Sequence, residues 1–318
     1  MVIHELDAQP APELQRALDE FDASFRAPFA AGRTFHMRYG KDRTAFGRTL
    51  GESRCFAAEH LGRVLGFMEM SVVELLLPGG ETRPAVYFPT IKVLPEARGS
   101  LVAGRLIQQA MEWSSPKAQI GFSVALEGTP VTPPIYTGRA GIPEFREAAR
   151  TALVRVPLPP GDGMLPEDGP FIVARERGEA IFRQLVRGRY AVLGGSPEAR
   201  SISKPVWMAH PGGLACARME DRRKVKQLVT DAGRELLPAY LSCFAFQDAR
   251  AAVALLVAAL RRAKTLGFGA VRICIAPAEM ALLEEVAGAG TIEQGGAVIY
   301  ATPNVITGEP WTLNAAEI

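Results

Sequence analysis

A chain of 318 residues is longer than one hydrophobic core usually supports, so two domains of roughly 150 residues are expected. Its 48% apolar and 22% charged content is that of a soluble globular protein, and a net charge of +2 excludes the basic excess of a dedicated nucleic-acid binder. No basic-then-apolar leader, no apolar run near ~20 residues and no metal-ligand spacing among the cysteines and histidines point to a cytoplasmic, metal-free protein with reduced thiols and no membrane partner.

In chain order, Leu14, Leu18, Phe21 and Phe25 recur at helical spacing and predict a helix from Pro12 to Phe25. Arg54 to His60 and Arg63 to Leu77 read as strands turned at Leu61-Gly62, and beyond Pro78-Gly79-Gly80 a third strand runs from Ala85 to Val93. A helix from about Gly99 to Trp113 and a strand from Gln119 to Leu126 follow. The run Pro157-Leu158-Pro159-Pro160-Gly161, continuing to Gly169-Pro170, cannot sustain a helix or a central strand. Residues 157–170 are therefore read as a linker between domains at 1–156 and 171–318.

The second half predicts a helix at Glu179 to Arg187 and strands at Val206 to Ala209, Leu214 to Met219 and Ala239 to Phe246. Then come a helix capped by Asp248 and ended by Gly267, a strand from Ala270 to Ala276, a helix from Ala278 to Val286 and a strand from Ala297 to Thr302. At an offset of 151 or 152 residues, Gly62 falls on Gly213, Met68-Glu69 on Met219-Glu220, and Ala97-Arg98 on Ala249-Arg250. The repeated order of elements reads as an internal duplication. The fold class is α/β (α+β), in two lobes.

The segment that carries chemistry is Ile91-Lys92-Val93-Leu94-Pro95-Glu96-Ala97-Arg98-Gly99-Ser100-Leu101-Val102-Ala103-Gly104. A strand ends, turns at Pro95 and enters an apolar helix through Arg98-Gly99. Free backbone N–H groups gather at that helix start, an anion cradle to which Arg98 and Arg105 add charge. A plain strand-to-helix turn is the alternative reading of the same residues.

Val93-Leu94-Pro95-Glu96-Ala97-Arg98 and the loop from Arg98 to Ala103 resemble the V-x-P-E-x-R and Q/R-x-x-G-x-G/A pattern of the GNAT superfamily of acyl-CoA-dependent N-acyltransferases. The resemblance implies two tandem GNAT lobes, each a mixed, mostly antiparallel sheet flanked by helices. It implies an acyl-CoA cosubstrate, acetyl-CoA by default, held in the first lobe by Ile91, Lys92, Val93, Arg98, Gly99, Ser100, Leu101, Val102, Ala103 and Gly104. The acyl group would pass to a primary amine of a small molecule or peptide, in a monomer or homodimer. A carboxylate or an ordered water takes the amine's proton in this family, and a tyrosine often protonates the leaving thiolate.

Glu69, on the long strand beside the cleft, is the candidate base, with Glu74 behind it. Tyr136 is the candidate acid, although strict spacing sets Thr137 at that position. The acceptor pocket is expected on the loops Arg26 to Thr49 and Glu127 to Pro134, and Arg222-Arg223-Lys224-Lys226 is expected as a solvated hairpin tip. Leu101 departs from the central loop glycine, Pro89 removes a strand donor, and Gln247-Asp248-Ala249-Arg250-Ala251-Ala252 in the second half has no glycine. A catalytically silent CoA-binding or scaffold protein is therefore the alternative function, and a second-lobe site a further one.

Overall fold

The computed structural model describes residues 1–28, 34–40, 42–135, 137–138, 142–158, 171–193, 195–283 and 292–318. Tyr136 and nearly all of the expected linker lie outside the described residues. β1 (Val2–Glu5) leads into α1 (Pro12–Ala23), whose proline takes the first turn, where its missing N–H costs nothing, and which buries Leu18 and Phe21. β2 (Ala27–Pro28), β3 (Thr34–Tyr39) and α2 (Ala45–Leu50) occupy the stretch expected as a loop. β4 (Glu52–His60) and β5 (Arg63–Leu76) form a hairpin. At its tip Leu61 and Gly62 both take positive φ, 51° and 77°, as the tightest two-residue turns require. β6 (Thr82–Val93), α3 (Val102–Ser114), β7 (Ile120–Leu126) and β8 (Arg146–Pro157) complete the first half.

The second half runs through β9 (Ile172–Val173), α4 (Arg175–Leu185), β10 (Tyr190–Leu193), α5 (Pro197–Arg200), β11 (Val206–Ala209) and β12 (Ala215–Glu220). β13 (Lys226–Thr230), β14 (Glu235–Leu236) and β15 (Pro238–Phe246) follow. α6 (Ala249–Thr265) ends as expected at Gly267, which has a φ of 75°. β16 (Ala270–Ile275), β17 (Glu293–Ala301) and β18 (Trp311–Thr312) close the chain. Where a helix was expected from Ala278 to Val286, a 3-10 turn spans Pro277–Glu279, residues 281–283 are helical, and the rest of the expected helix lies outside the described residues.

The main sheet has the order β1-β4-β5-β6-β7-β17-β8-β16-β15-β12-β11-β9. Read inward from either end the pattern is the same. Three antiparallel pairings come first, then one parallel pairing, β6 with β7 or β15 with β16, and the centre is antiparallel. β17 lies beside β7 and β8 beside β16, so each half of the sheet is completed by a strand from the other half of the chain. A smaller sheet, β14-β13-β3-β2, joins the halves again.

α3 packs on one face of β5 at Gly66, where an added Cβ would come within 2.6 Å of the Val102 side chain. α1, α2 and β3 lie against the opposite face. None of the described helices is long and apolar enough to cross a membrane.

Candidate active site

β6 and β7 pair only from Ala85↔Ile120 to Phe88↔Ser123. Beyond that point β6 keeps only β5 as a partner and β7 only β17, so the two strands splay. The Ser123 hydroxyl donates to the Phe88 carbonyl at the fork, 3.0 Å away. The register supplies one more feature: Glu69 faces Thr90 but Ser71 faces Tyr87, which puts an extra residue on β6. Pro89 sits in this bulge, where its missing N–H breaks no ladder bond. The wedge opens on a cleft of about 380 Å³, mouth included, lined by Met68, Phe88, Ile91, Ile107, Met111 and Phe145 among others. The β7-facing edge of Ile91, Lys92 and Val93 has no strand partner and borders this wedge.

From Val93 the chain makes one 3-10 turn at Pro95–Ala97, extends at Arg98, and reverses at Gly99 with a φ of 78°, which a side chain would strain. The start of α3 has no side-chain cap. Arg105 is the first residue to close a helical bond, to Leu101, at 3.0 Å. Among the described residues, Val102 N–H reaches only the Ser100 hydroxyl at 3.3 Å, and the N–H groups of Leu101, Ala103 and Gly104 donate to no backbone carbonyl. A Cβ placed on Gly99 or Gly104 would meet nothing within 4 Å. Leu101, standing where a glycine was expected, is 72% exposed and does not cover the cradle. These residues fit the diphosphate of a coenzyme A ester.

The matching corner of the second half is closed. The Asp248 carboxylate caps α6 by accepting from Ala251 N–H at 2.8 Å. One donor is thereby spent, and a negative charge stands where a phosphate would have to sit.

On the sheet face opposite α3, Glu69 is 1% exposed. Neither of its carboxylate oxygens meets a hydrogen-bond partner of normal geometry among the described residues, and a Cβ on Gly47 would lie 2.8 Å from Oε1. Burial raises its pKa, while the nearby charges of Lys226, Arg43 and Lys92 pull the other way. Lys226, on β13, is 3% exposed, forms no ion pair among the described residues, and lies 4.2 Å from the centre of the Phe46 ring. Burial pushes its pKa well down. Arg43 makes a two-armed salt bridge to Asp22 and lies between the Tyr39 and Phe67 rings, 3.9 and 4.1 Å from their centres. Lys92 Nζ is 3.6 Å from the same Asp22, and burial brings its pKa down to about 8.

The structure thus divides the expected site residues between two faces. The backbone from Ile91 to Gly104 follows the wedge and the cradle, but the Lys92 side chain turns to the Glu69 side. Glu74 is exposed. Thr137 donates to the Pro143 carbonyl at 2.7 Å and accepts from Phe145 N–H, so it staples its loop.

The basic run is not a solvated tip. Arg222 and Lys226 are buried, because β13 pairs with β3, Lys226 opposite Tyr39, and because Arg222 donates to the main-chain oxygens of Ala316 and Ile318. Among the described residues no three His, Cys, Asp or Glu side chains gather to hold a metal.

Glu220, the sequence counterpart of Glu69, is equally buried but fully engaged. Arg200 meets it at 2.7 Å and Arg218 at 3.0 Å. Burial alone would raise its pKa, yet the two guanidiniums bring it down to about 2.

No protein-family model and no curated protein sequence matches the chain. Solved structures do. The chain is similar to Saccharomyces cerevisiae N-myristoyltransferase with bound myristoyl-CoA, with a TM-score of 0.62 at 11% identity over 95% of this chain and 82% of that one. A second structure of the yeast enzyme with myristoyl-CoA gives 0.62 at 13% identity, covering 95% and 78%. A GCN5-related N-acetyltransferase from Anabaena variabilis gives 0.52 at 14% identity, covering 94% and 72%. At such identities the likeness is one of fold.

Proposed function

We propose that this chain, which has the GNAT fold in two lobes, is an acyl-CoA-dependent N-acyltransferase that works from its first lobe. The reading rests on one juxtaposition: an uncapped amide cradle opens on one face of splayed β6, and an unpartnered carboxylate, Glu69, stands on the other. The amides of Leu101 to Gly104, with Arg98 and Arg105, take the diphosphate. The free edge of Ile91 to Val93 takes the pantetheine arm.

The acceptor nitrogen attacks the thioester carbon, the new C–N bond forms as the C–S bond breaks, and the coenzyme leaves as thiolate. The proton shed by nitrogen passes to Glu69, whose raised pKa makes it a stronger acceptor than an ordinary carboxylate. Tyr136 is the residue assigned to protonate the thiolate. Acetyl is the smallest group the wedge would accept, and its lining of Met68, Phe88, Ile107 and Met111 also suits a longer chain.

The two lobes are read as a tandem duplication divided near 157–170, with β8 and β17 exchanged. The four cysteines, all unpaired and buried, agree with a cytoplasmic setting.

Thermal unfolding with coenzyme A, acetyl-CoA and longer acyl-CoAs tests the assignment. At a concentration 100 times the Kd, binding stabilises by about 2.7 kcal/mol, a rise of several degrees. Arg98→Glu is expected to remove most of that rise and Arg250→Glu to leave it intact. Free thiol should then appear when an amine panel is supplied. A shift without thiol release would leave the silent-scaffold reading, which the enclosure of Glu69 favours. No shift with any coenzyme A ligand would defeat the assignment.

A further inference from the structure

We infer that the acceptor is an amino acid, a zwitterion whose amine is received by Glu69 and whose carboxylate is received by Lys226. This rests on the acyltransferase reading and adds the substrate class.

The charges behind β6 sort into two groups. Asp22 is shared by Arg43 and Lys92, which together leave one positive charge in excess. Glu69 and Lys226 remain. Each lies in the other's field, yet no nitrogen–oxygen distance between them falls within 4 Å; among the described residues only the Gly47 backbone bears on the Glu69 carboxylate as a hydrogen-bond partner, and Lys226 is buried against aromatic rings without an ion pair. Opposite ions enclosed together normally close on one another, because attraction in a poorly solvated interior is strong and an unpaired buried charge is costly. These two are held apart, Lys226 against the Phe46 and Tyr39 rings at 4.2 and 6.0 Å.

The other half of the molecule indicates that this is not a habit of the fold. On the face of β12 turned away from α6, Glu220 is closed off by Arg200 and Arg218. Glu69 has no such guanidinium closure among the described residues.

A zwitterion engages both groups with one molecule. Its nitrogen meets the carboxylate that takes its proton, and its carboxylate meets an ammonium beside the surplus charge of Arg43 and Lys92. Arg222, whose Nη1 donates to main-chain oxygens, adds a further positive charge that bears on Lys226. The groups bearing on Lys226 are Arg222, Glu69, Lys92 and Arg43, and burial lowers its pKa. An arriving carboxylate works in the opposite direction, so binding should take up a proton.

The test compares each of the twenty L-amino acids with its carboxamide and its decarboxylated amine, using acetyl-, octanoyl- and myristoyl-CoA as donors and thiol release as the readout. At least one amino acid should exceed its amide and amine by about 100-fold in kcat/KM, because a site built around a buried charge rejects an analogue lacking the partner. Lys226→Met should lower that amino acid's kcat/KM by about 100-fold, mainly through KM, and lower the amide's by much less, through the altered field at Glu69. Lys226→Arg should restore part of the loss and keeps the test open should the methionine variant not fold. Amides that serve as well as acids, or a Lys226→Met loss equal for both, would overturn the inference. If no amine releases thiol, the acyltransferase reading falls by itself. Calorimetric binding of the same pairs to the coenzyme A-loaded protein then decides the present question: preference for the acid supports it, and no preference overturns it.

Discussion

Glu69→Gln is expected to lower kcat by about 10²- to 10⁴-fold while acyl-CoA affinity stays unchanged. The substitution keeps the shape of the side chain and removes only its capacity to hold the amine's proton. In the proposed site the coenzyme lies on the α3 face, across the sheet from this carboxylate, so its Kd should not move.

The pH profile carries the same information with a definite sign. The working form of Glu69 is the carboxylate, and burial holds its pKa above the ordinary range near ~4.3. Activity should therefore fall on acidification at a pH higher than a free carboxylate would give, and Glu69→Gln should abolish that limb. A raised pKa also means that the ionised form is disfavoured in the folded state, so its cost to stability is present once pH exceeds the folded pKa. The glutamine variant should unfold at the same or a higher temperature at pH 7. A rate within threefold of the parent, with the acid limb unmoved, would remove Glu69 from the mechanism.

The buried carboxylate of the second half, Glu220, predicts the opposite. Glu220→Ala should destabilise by about 3–5 kcal/mol, on the order of 10 °C in Tm. Glu220 accepts from Arg200 Nε at 2.7 Å and Arg218 Nη2 at 3.0 Å, both buried, and Arg200 reaches on to Glu317 at 3.0 Å. Asn314 extends the chain, donating to Glu317 at 2.9 Å and accepting from Cys243 N–H at 2.9 Å. Deleting the central carboxylate leaves guanidiniums enclosed and undercompensated, which costs far more than an exposed pair.

Its folded pKa of about 2 lies below the ordinary value, so this contribution is fully present above the unfolded pKa and drains away as pH falls toward 2. Thermal scans at pH 7 and through pH 5 to 2 measure both effects. A Tm within 2 °C of the parent at pH 7 would show that the network is dispensable.

What was legible in the sequence is what short-range chemistry dictates. The Leu61-Gly62 turn, the Asp248 cap and the Gly267 stop each need particular residues at particular places, and each is where the residues put it. The strand ending at Val93 and its following helix were visible through Val93, Pro95 and Gly99 for the same reason.

β8 was missed because its apolar side is partly built of small residues, Ala148, Thr151 and Ala152, a weak strand signal, and its partners lie more than a hundred residues away. Lys226 was misjudged for a related reason. Four basic residues within five positions look solvated, and nothing nearby tells of β3, which arrives from the other half to cover them. Charge burial depends on who the neighbours are, and here the neighbours come from far along the chain.

The crossing of β8 and β17 also sets a timetable for biosynthesis. The strand edge of β7 has no neighbour on its outer side until residues 293–301 have left the ribosome, although everything needed to grip a coenzyme has been made long before. An incomplete nascent chain therefore presents a bare, pairing-competent edge, the kind of surface that calls for chaperone protection. The first half's share of the sheet is complete only once β17 of the second half is in place.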